Sequence, residues 1–327
     1  MDSLSRVLLL HGIMSVAWDM QRRDQTALGL DPVGDGTDQS WKKIITFAYD
    51  TWQSHFDAHC AGVIARLQDK TNSNMRNYQS SIPDADRETC HQMSVFASCY
   101  TALARCAQAL LNMEFLDVQI YAGARHILGR PVQQRDYVRS AEVVKRWAAT
   151  MPSTASPMER MVLSSGRSSQ GVQLQRPPQC ATVAATHAAH ILHEHLDHLT
   201  EQDAMSLFHV PWCLYLLTLT LWAFHHARPV EPPAGGITGG DWGSFGSDGD
   251  DEMIWDPRGE MRALVSEMMD QKNQTNSRVS RRRTNGLVWI MAETLTKVRW
   301  GIIHAGVSVL KGLVPQRLIN QYDDPIE

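Results

Sequence analysis

Apolar residues recur along most of this chain at three- to four-residue spacing, and no stretch sustains the apolar/polar alternation that a half-buried strand requires. The pattern predicts an all-α protein: an irregular multi-helix bundle with long amphipathic helices and a mobile Gly/Asp-rich loop. A first helix is expected from about Leu4 to Arg22, followed by a glycine- and aspartate-rich turn from Gly29 to Gly36. A second begins near Asp38, a residue type that caps helix N-termini. It sets Trp41, Ile45, Ala48, Trp52, Phe56, Cys60, Val63 or Ile64 and Leu67 on one stripe. Asp84 or Asp86 caps a third helix carrying Val95, Phe96, Cys99, Leu103, Cys106, Leu110 and Leu111. A fourth runs from Glu114 to a stop at Gly129-Arg130-Pro131, and a fifth spans Gln134 to Ala149 with Val138, Val143 or Val144 and Trp147 on its apolar face.

The segment from Pro152 to Pro178 is rich in Ser, Pro, Gln and Gly and reads as a connection. Helices resume over Cys180 to Leu199 and Pro211 to His226. Val210 to Phe224 is the longest apolar run; its 15 residues cover about 22 Å as a helix, short of a hydrocarbon core of about 30 Å. A buried central helix is expected, with Pro211 in its first turn and Thr218 and Thr220 bonding back to the preceding turn. Pro229 to Asp256 holds two Gly-Gly pairs and an acidic run and reads as a solvated, mobile loop. Helices over Pro257 to Met269 and Leu287 to Leu313, joined by a polar, basic connector, complete the chain. The expected organisation is a helical domain over 1–228, a flexible Gly/acidic loop over 229–256, and C-terminal helices over 257–327 packing on the same domain.

Composition narrows the function classes. At 327 residues, 43% apolar and a net charge of −4, the chain is neither disordered throughout nor basic enough to grip nucleic acid along its whole surface. The 6 Cys include no C-x2-C pair, so no disulfide framework and a reducing compartment are expected. Asp2 and the early His11-Gly12 break any signal-peptide pattern at the start.

Several residue groups invite a chemical reading. Leu8 to Gly12 resembles the strand and oxyanion loop that open an α/β-hydrolase, but no G-x-S-x-G elbow follows. His187, His190, His195 and His198 fall within about 140° of one continuous helix, from which His187, His195 and His198 form a candidate metal set. The competing reading is a helix face carrying neutral imidazoles, since neither H-E-x-x-H nor H-x-x-E-H is present. Asp250, Asp251, Glu252 and Asp256 resemble the acidic magnesium motif of all-α terpene cyclases, which makes a metal-dependent all-α enzyme the alternative function, ahead of a hydrolase. Arg278, Arg281, Arg282 and Arg283 form a basic cluster suited to nuclear import or a phosphate contact. Trp18, Trp212, Tyr215 and Trp222 are either core anchors or the wall of an effector or partner groove.

A resemblance adds to this. Leu9-Leu10-His11-Gly12, Val16-Ala17-Trp18-Asp19, Arg22-Arg23-Asp24-Gln25 and Leu28-Gly29 resemble the fungal-specific transcription factor regulatory domain. So do Ser40-Trp41-Lys42, Ala48-Tyr49-Asp50 and Trp52, and above all Pro211 to Tyr215 with Leu221 to Phe224. The likeness touches both ends of residues 3–228 and is to the C-terminal half of that domain in members with two-Cys two-His zinc fingers. It implies a nuclear, non-catalytic regulator of RNA polymerase II transcription, acting through partners of the transcription machinery or a small effector, with a homodimer as one assembly. In such proteins zinc belongs to a DNA-reading module N-terminal to this region. The chain carries no such finger, so no cofactor is expected within it, and DNA is expected only indirectly or through a missing module, the chain being either a fragment whose finger lies in a missing N-terminal part or a finger-less relative.

Overall fold

The computed structural model describes residues 2–26, 40–77, 84–149, 180–228, 255–270 and 284–322. Within them the chain is all-α, with one two-residue β-ribbon as the exception. Helices α1 (Ser3–Thr26), α2 (Ser40–Asn77) and α3 (Asp84–Leu110) form the first layer. The predicted stripe of α2 faces inward, with Ile45, Trp52, Phe56 and Cys60 buried, and Tyr49 joins it. Trp52 stacks on Phe56 with ring centroids 4.6 Å apart and donates its indole N–H to the Arg6 carbonyl at 2.8 Å. Arg6 Nη1 in turn donates to the His55 carbonyl, and Ser3 Oγ lies 3.0 Å from His59 Nε2, so α1 and α2 run antiparallel. Gln53 Nε2 donates to Thr101 Oγ1, and Gln108 Nε2 to Asp50 Oδ1, which makes α2 and α3 antiparallel as well.

The expected fourth helix is much shorter. Helix α4 (Phe115–Tyr121) ends where Gly123 takes φ +91, with Gly123 N–H donating to Ile120 O and Ala124 N–H to Gln119 O. That pair of bonds is a Schellman stop, and glycine adopts its left-handed residue at no steric cost. A hairpin the sequence pattern did not reveal follows, pairing β1 (His126–Ile127) with β2 (Arg130–Pro131) across Leu128 and Gly129, both at positive φ. Helix α5 (Gln134–Ala148) opens with a reciprocal cap between Gln133 and Asp136. It buries Val144 while leaving Val138 exposed, against expectation.

The helix expected over Cys180 to Leu199 breaks at His195. Helix α6 (Cys180–Glu194) stops, the chain turns, and α7 (Leu196–Leu199) and α8 (Gln202–Ser206) follow. Helix α9 (His209–His226) is the centre of the molecule, buried at every position from Val210 to His225 except Trp212. Its Thr218 and Thr220 hydroxyls donate to the Leu214 and Leu216 carbonyls at 2.7 Å, which lets two polar side chains sit in the core. No described helix is long and apolar enough to cross a membrane.

The last expected helix divides into α11 (Thr284–Thr296) and α12 (Gly301–Leu313), after α10 (Pro257–Asp270) and before α13 (Gln316–Ile319). Val298 turns into the core at the break, and Trp300 leaves the helical conformation and lies 5.5 Å from the Phe208 ring. Where α11 crosses α10, a side chain on Gly286 would come within 2.4 Å of the Pro257 carbonyl, so glycine sets the closeness of that crossing. Trp255, Trp289 and Tyr322 close over it with ring centroids 5.7–6.3 Å apart. One continuous cluster of buried side chains runs from Leu10 to Val314.

Candidate functional site

Two places on this scaffold gather side chains with chemical potential. The first is an open cleft of about 560 Å³ between the end of α5 and the end of α9, lined by Tyr121, Lys145, Arg146, Ala149, His226, Ala227 and Arg228. Its lining carries three cations and no carboxylate. The α5 pattern puts Val144 and Ala148 inward and so turns Lys145 and Arg146 outward, into the last turn of their helix. On the opposite wall Tyr121 Oη lies 3.1 Å from His226 Nδ1. Trp222 stacks beneath the His226 imidazole, centroids 4.8 Å apart at 18°. The Arg228 guanidinium lies 4.6 Å from the Phe224 ring centroid, which holds this cation at the rim. An aromatic wall beside cationic side chains suits a small anion with a flat apolar body.

The second place is a histidine-rich surface where α6, α7 and α8 meet α3. The structure corrects the candidate metal set. His187 joins neither of the two ligand groups found among the described residues, while His195 and His198 fall in different groups although both reach Ser98 of α3. His187 is half-buried near Arg105, and burial first, then that guanidinium, push it down to about 4. His195 instead groups with His190 and Glu194, and His198 with His91 of α3 and Glu201 at the start of α8. Ser98 of α3 is buried between the groups, its Oγ 2.8 Å from His198 Nδ1 and 3.1 Å from His195 Nδ1. His91 and Ser98 carried no sequence signal, since they lie roughly a hundred positions from the imidazoles they meet, and Glu201, three positions after His198, finds its second imidazole, His91, 110 positions away.

The four aromatic candidates separate. Tyr215 and Trp222 are buried, and Trp212 and Tyr215 pack edge-on against Phe115. Trp18 is 64% exposed on α1 and shares one outer face with exposed Leu4 and Leu8. Trp222 is thus a support beneath the cleft, and Trp18 belongs to a different surface. Of the acidic motif, Asp250, Asp251 and Glu252 lie outside the described residues, and Asp256 caps α10, its Oδ1 accepting from Gly259 N–H at 2.9 Å. A capping carboxylate faces its own helix rather than an apolar cavity, which removes one member of the cyclase-like set. Arg278, Arg281, Arg282 and Arg283 also lie outside the described residues, as do the turn at Gly29 to Gly36 and most of the loop from Pro229 to Asp256.

Over 314 residues, 96% of its length, the chain is 31% identical to the "Nicotinate catabolism cluster-specific transcription factor" of Emericella nidulans. It is similar to a fungal transcription factor. The likeness runs through nearly the whole chain, including both the cleft and the histidine surface. The chain spans only 29% of that relative's length. No family profile matches the chain, and no solved structure matches it.

Proposed function

We propose that this chain is the regulatory module of a longer fungal transcription factor that controls RNA polymerase II genes from the nucleus, with DNA read by a zinc-finger module outside this stretch. The observation that carries the reading is the similarity to a transcription factor over 96% of the chain. An all-helical body around one apolar core, at near-neutral charge, suits a part that answers to a partner or small effector better than one that holds DNA by phosphate contacts. The cleft between Lys145, Arg146 and Arg228 is where a small anionic effector fits. A catalytic role finds no comparable support: the one described member of the cyclase-like carboxylate set is a helix cap.

The test is to fuse the chain to an unrelated DNA-binding domain in a fungal host and read a reporter bearing that domain's sites. A change in output relative to the DNA-binding domain alone, with the fusion in the nucleus, is expected. Output equal to that domain alone, from a fusion that accumulates and folds, overturns the proposal. Charge reversal by Lys145→Glu with Arg228→Glu is then expected to abolish any effector response while leaving the fold intact.

A further inference from the structure

The cleft leaves the histidine surface unexplained, although its geometry is the more ordered of the two. Helix α3 presents His91, α7 presents His198, and the turn into α8 presents Glu201, so the three side chains come from three separate elements. One ligand atom from each lies within 4.8 Å of the other two. His91 Nε2 and Glu201 Oε2 are already in contact at 2.7 Å. The His91 and His198 rings meet nearly perpendicular, at 77°, so that they do not stack face to face. We propose that His91, His198 and Glu201 form a binding site for one divalent transition-metal ion, zinc by the character of its donors.

Two imidazole nitrogens and a carboxylate oxygen form a donor set that zinc takes readily, with a fourth position left to water. Bond lengths near 2.0–2.1 Å place ligand atoms about 3.3 Å apart in a tetrahedral site, a spacing bracketed by the 2.7 Å between His91 Nε2 and Glu201 Oε2 and the 4.8 Å that bounds the whole set. His91 is 47% exposed at its side chain and Glu201 32%, which leaves an entry path from solvent. The buried Ser98 completes the site. Its Oγ, 2.8 Å from His198 Nδ1, fixes the ring and engages that nitrogen, leaving Nε2 for the metal. A hydrogen bond to the far nitrogen is the usual support of a metal-bound imidazole.

The neighbouring group of His190, Glu194 and His195 is the weaker candidate. His190 and Glu194 are an i,i+4 pair on one helix, 3.5 Å apart, such as surface helices carry without a metal. An ion at His91, His198 and Glu201 would instead tie α7 and α8 to α3, so its binding energy would add to the stability of the fold.

Purified chain stripped with chelator is titrated with Zn2+ against a chromophoric zinc indicator, with Mg2+ as the hard-cation control, and its thermal midpoint is read with and without zinc. One equivalent of Zn2+ is expected to bind saturably and raise the midpoint, while Mg2+ does neither. His91→Ala and Glu201→Gln, both at accessible side chains, are expected to weaken binding at least about tenfold and to remove the thermal shift. Ser98→Ala is expected to weaken binding by about 10–100-fold through the lost support of His198. His190→Ala and His193→Ala are expected to change neither readout. Absent or non-saturable binding overturns the proposal, as does zinc binding unchanged in His91→Ala or lost in His190→Ala.

Discussion

His225 makes the folded state sensitive to acid by a mechanism that can be isolated. It lies one position before the end of α9, 4% exposed, with Nε2 buried and without a hydrogen-bond partner and its ring edge-on to Phe224 at 5.1 Å. Burial first, then the nearby Arg228 guanidinium, push its titration from 6.5 down to about 4. An imidazole that stays neutral when folded and protonates more readily when unfolded stabilises the fold fully above pH 6.5. That contribution is lost as the pH falls from 6.5 toward 4, because the unfolded chain then binds the extra proton. At about 1.4 kcal/mol per tenfold of acid, the loss from this one side chain is about 1.4 kcal/mol at pH 5.5 and about 2.5 kcal/mol at pH 4.5. His225→Phe keeps a ring of similar size and removes the titration. Urea unfolding at pH 7.5, 5.5 and 4.5 measures the difference directly, since the two proteins share every other titrating group. The variant is expected to lose about 2.5 kcal/mol less than the parent between pH 7.5 and 4.5. Equal losses in the two proteins would refute the reasoning, and would place the acid sensitivity elsewhere, with His187 the first alternative.

Three further perturbations test how the helices are joined. Ser140 Oγ donates to Asp117 Oδ1 at 2.7 Å in a buried contact, so Ser140→Ala is expected to cost about 2 kcal/mol in denaturant unfolding at pH 7; a loss under a few tenths would mean that the Asp117 carboxylate finds another donor. Gly286→Ala forces a methyl to within 2.4 Å of the Pro257 carbonyl and is expected to destabilise by about 1–3 kcal/mol, although alanine is the better helix former. A rise in thermal midpoint for that variant would show that α10 and α11 separate freely. Phe56 is fully buried and stacked on Trp52, so Phe56→Ala is expected to cost about 3–5 kcal/mol and to release α1 to proteolysis; an unchanged digestion pattern would contradict the role given to the Trp52 and Phe56 pair.

Much of the fold could be read along the chain because the long helices bury one stripe each. The spacing of Trp41, Ile45, Trp52, Phe56 and Cys60 is enough to place α2. Helix α9 is legible for a different reason, a run of 15 residues apolar but for two threonines that bond back to their own helix, which leaves no exposed face to define. Tyr49 was missed because a hydroxyl reads as polar, yet it is buried beside Trp52, and that burial drives its phenol well above the usual range. The missed breaks have local causes that periodicity does not register. Gly123 stops α4 through backbone conformation, and the last helix is interrupted where Val298 is buried and Trp300 takes an extended backbone beside Phe208.

The break at His195 had the largest consequence for function, and it shows why the sites were harder to read than the fold. On one continuous helix His187, His195 and His198 would share a face, and a metal set drawn from that helix alone would follow. With α6 ending at Glu194, His195 and His198 both reach Ser98 of α3, and His198 also meets His91, on a stripe whose apolar members, Val95 and Cys99, face inward. Burial of α3 therefore orients the ligands before any metal contact exists. The cleft follows the same rule, since Lys145 and Arg146 point into it because Val144 and Ala148 point away. In both places the chemistry rides on residues whose direction is set by their apolar neighbours, while their partners come from distant segments. Spacing along one helix carries the first half of that information and none of the second.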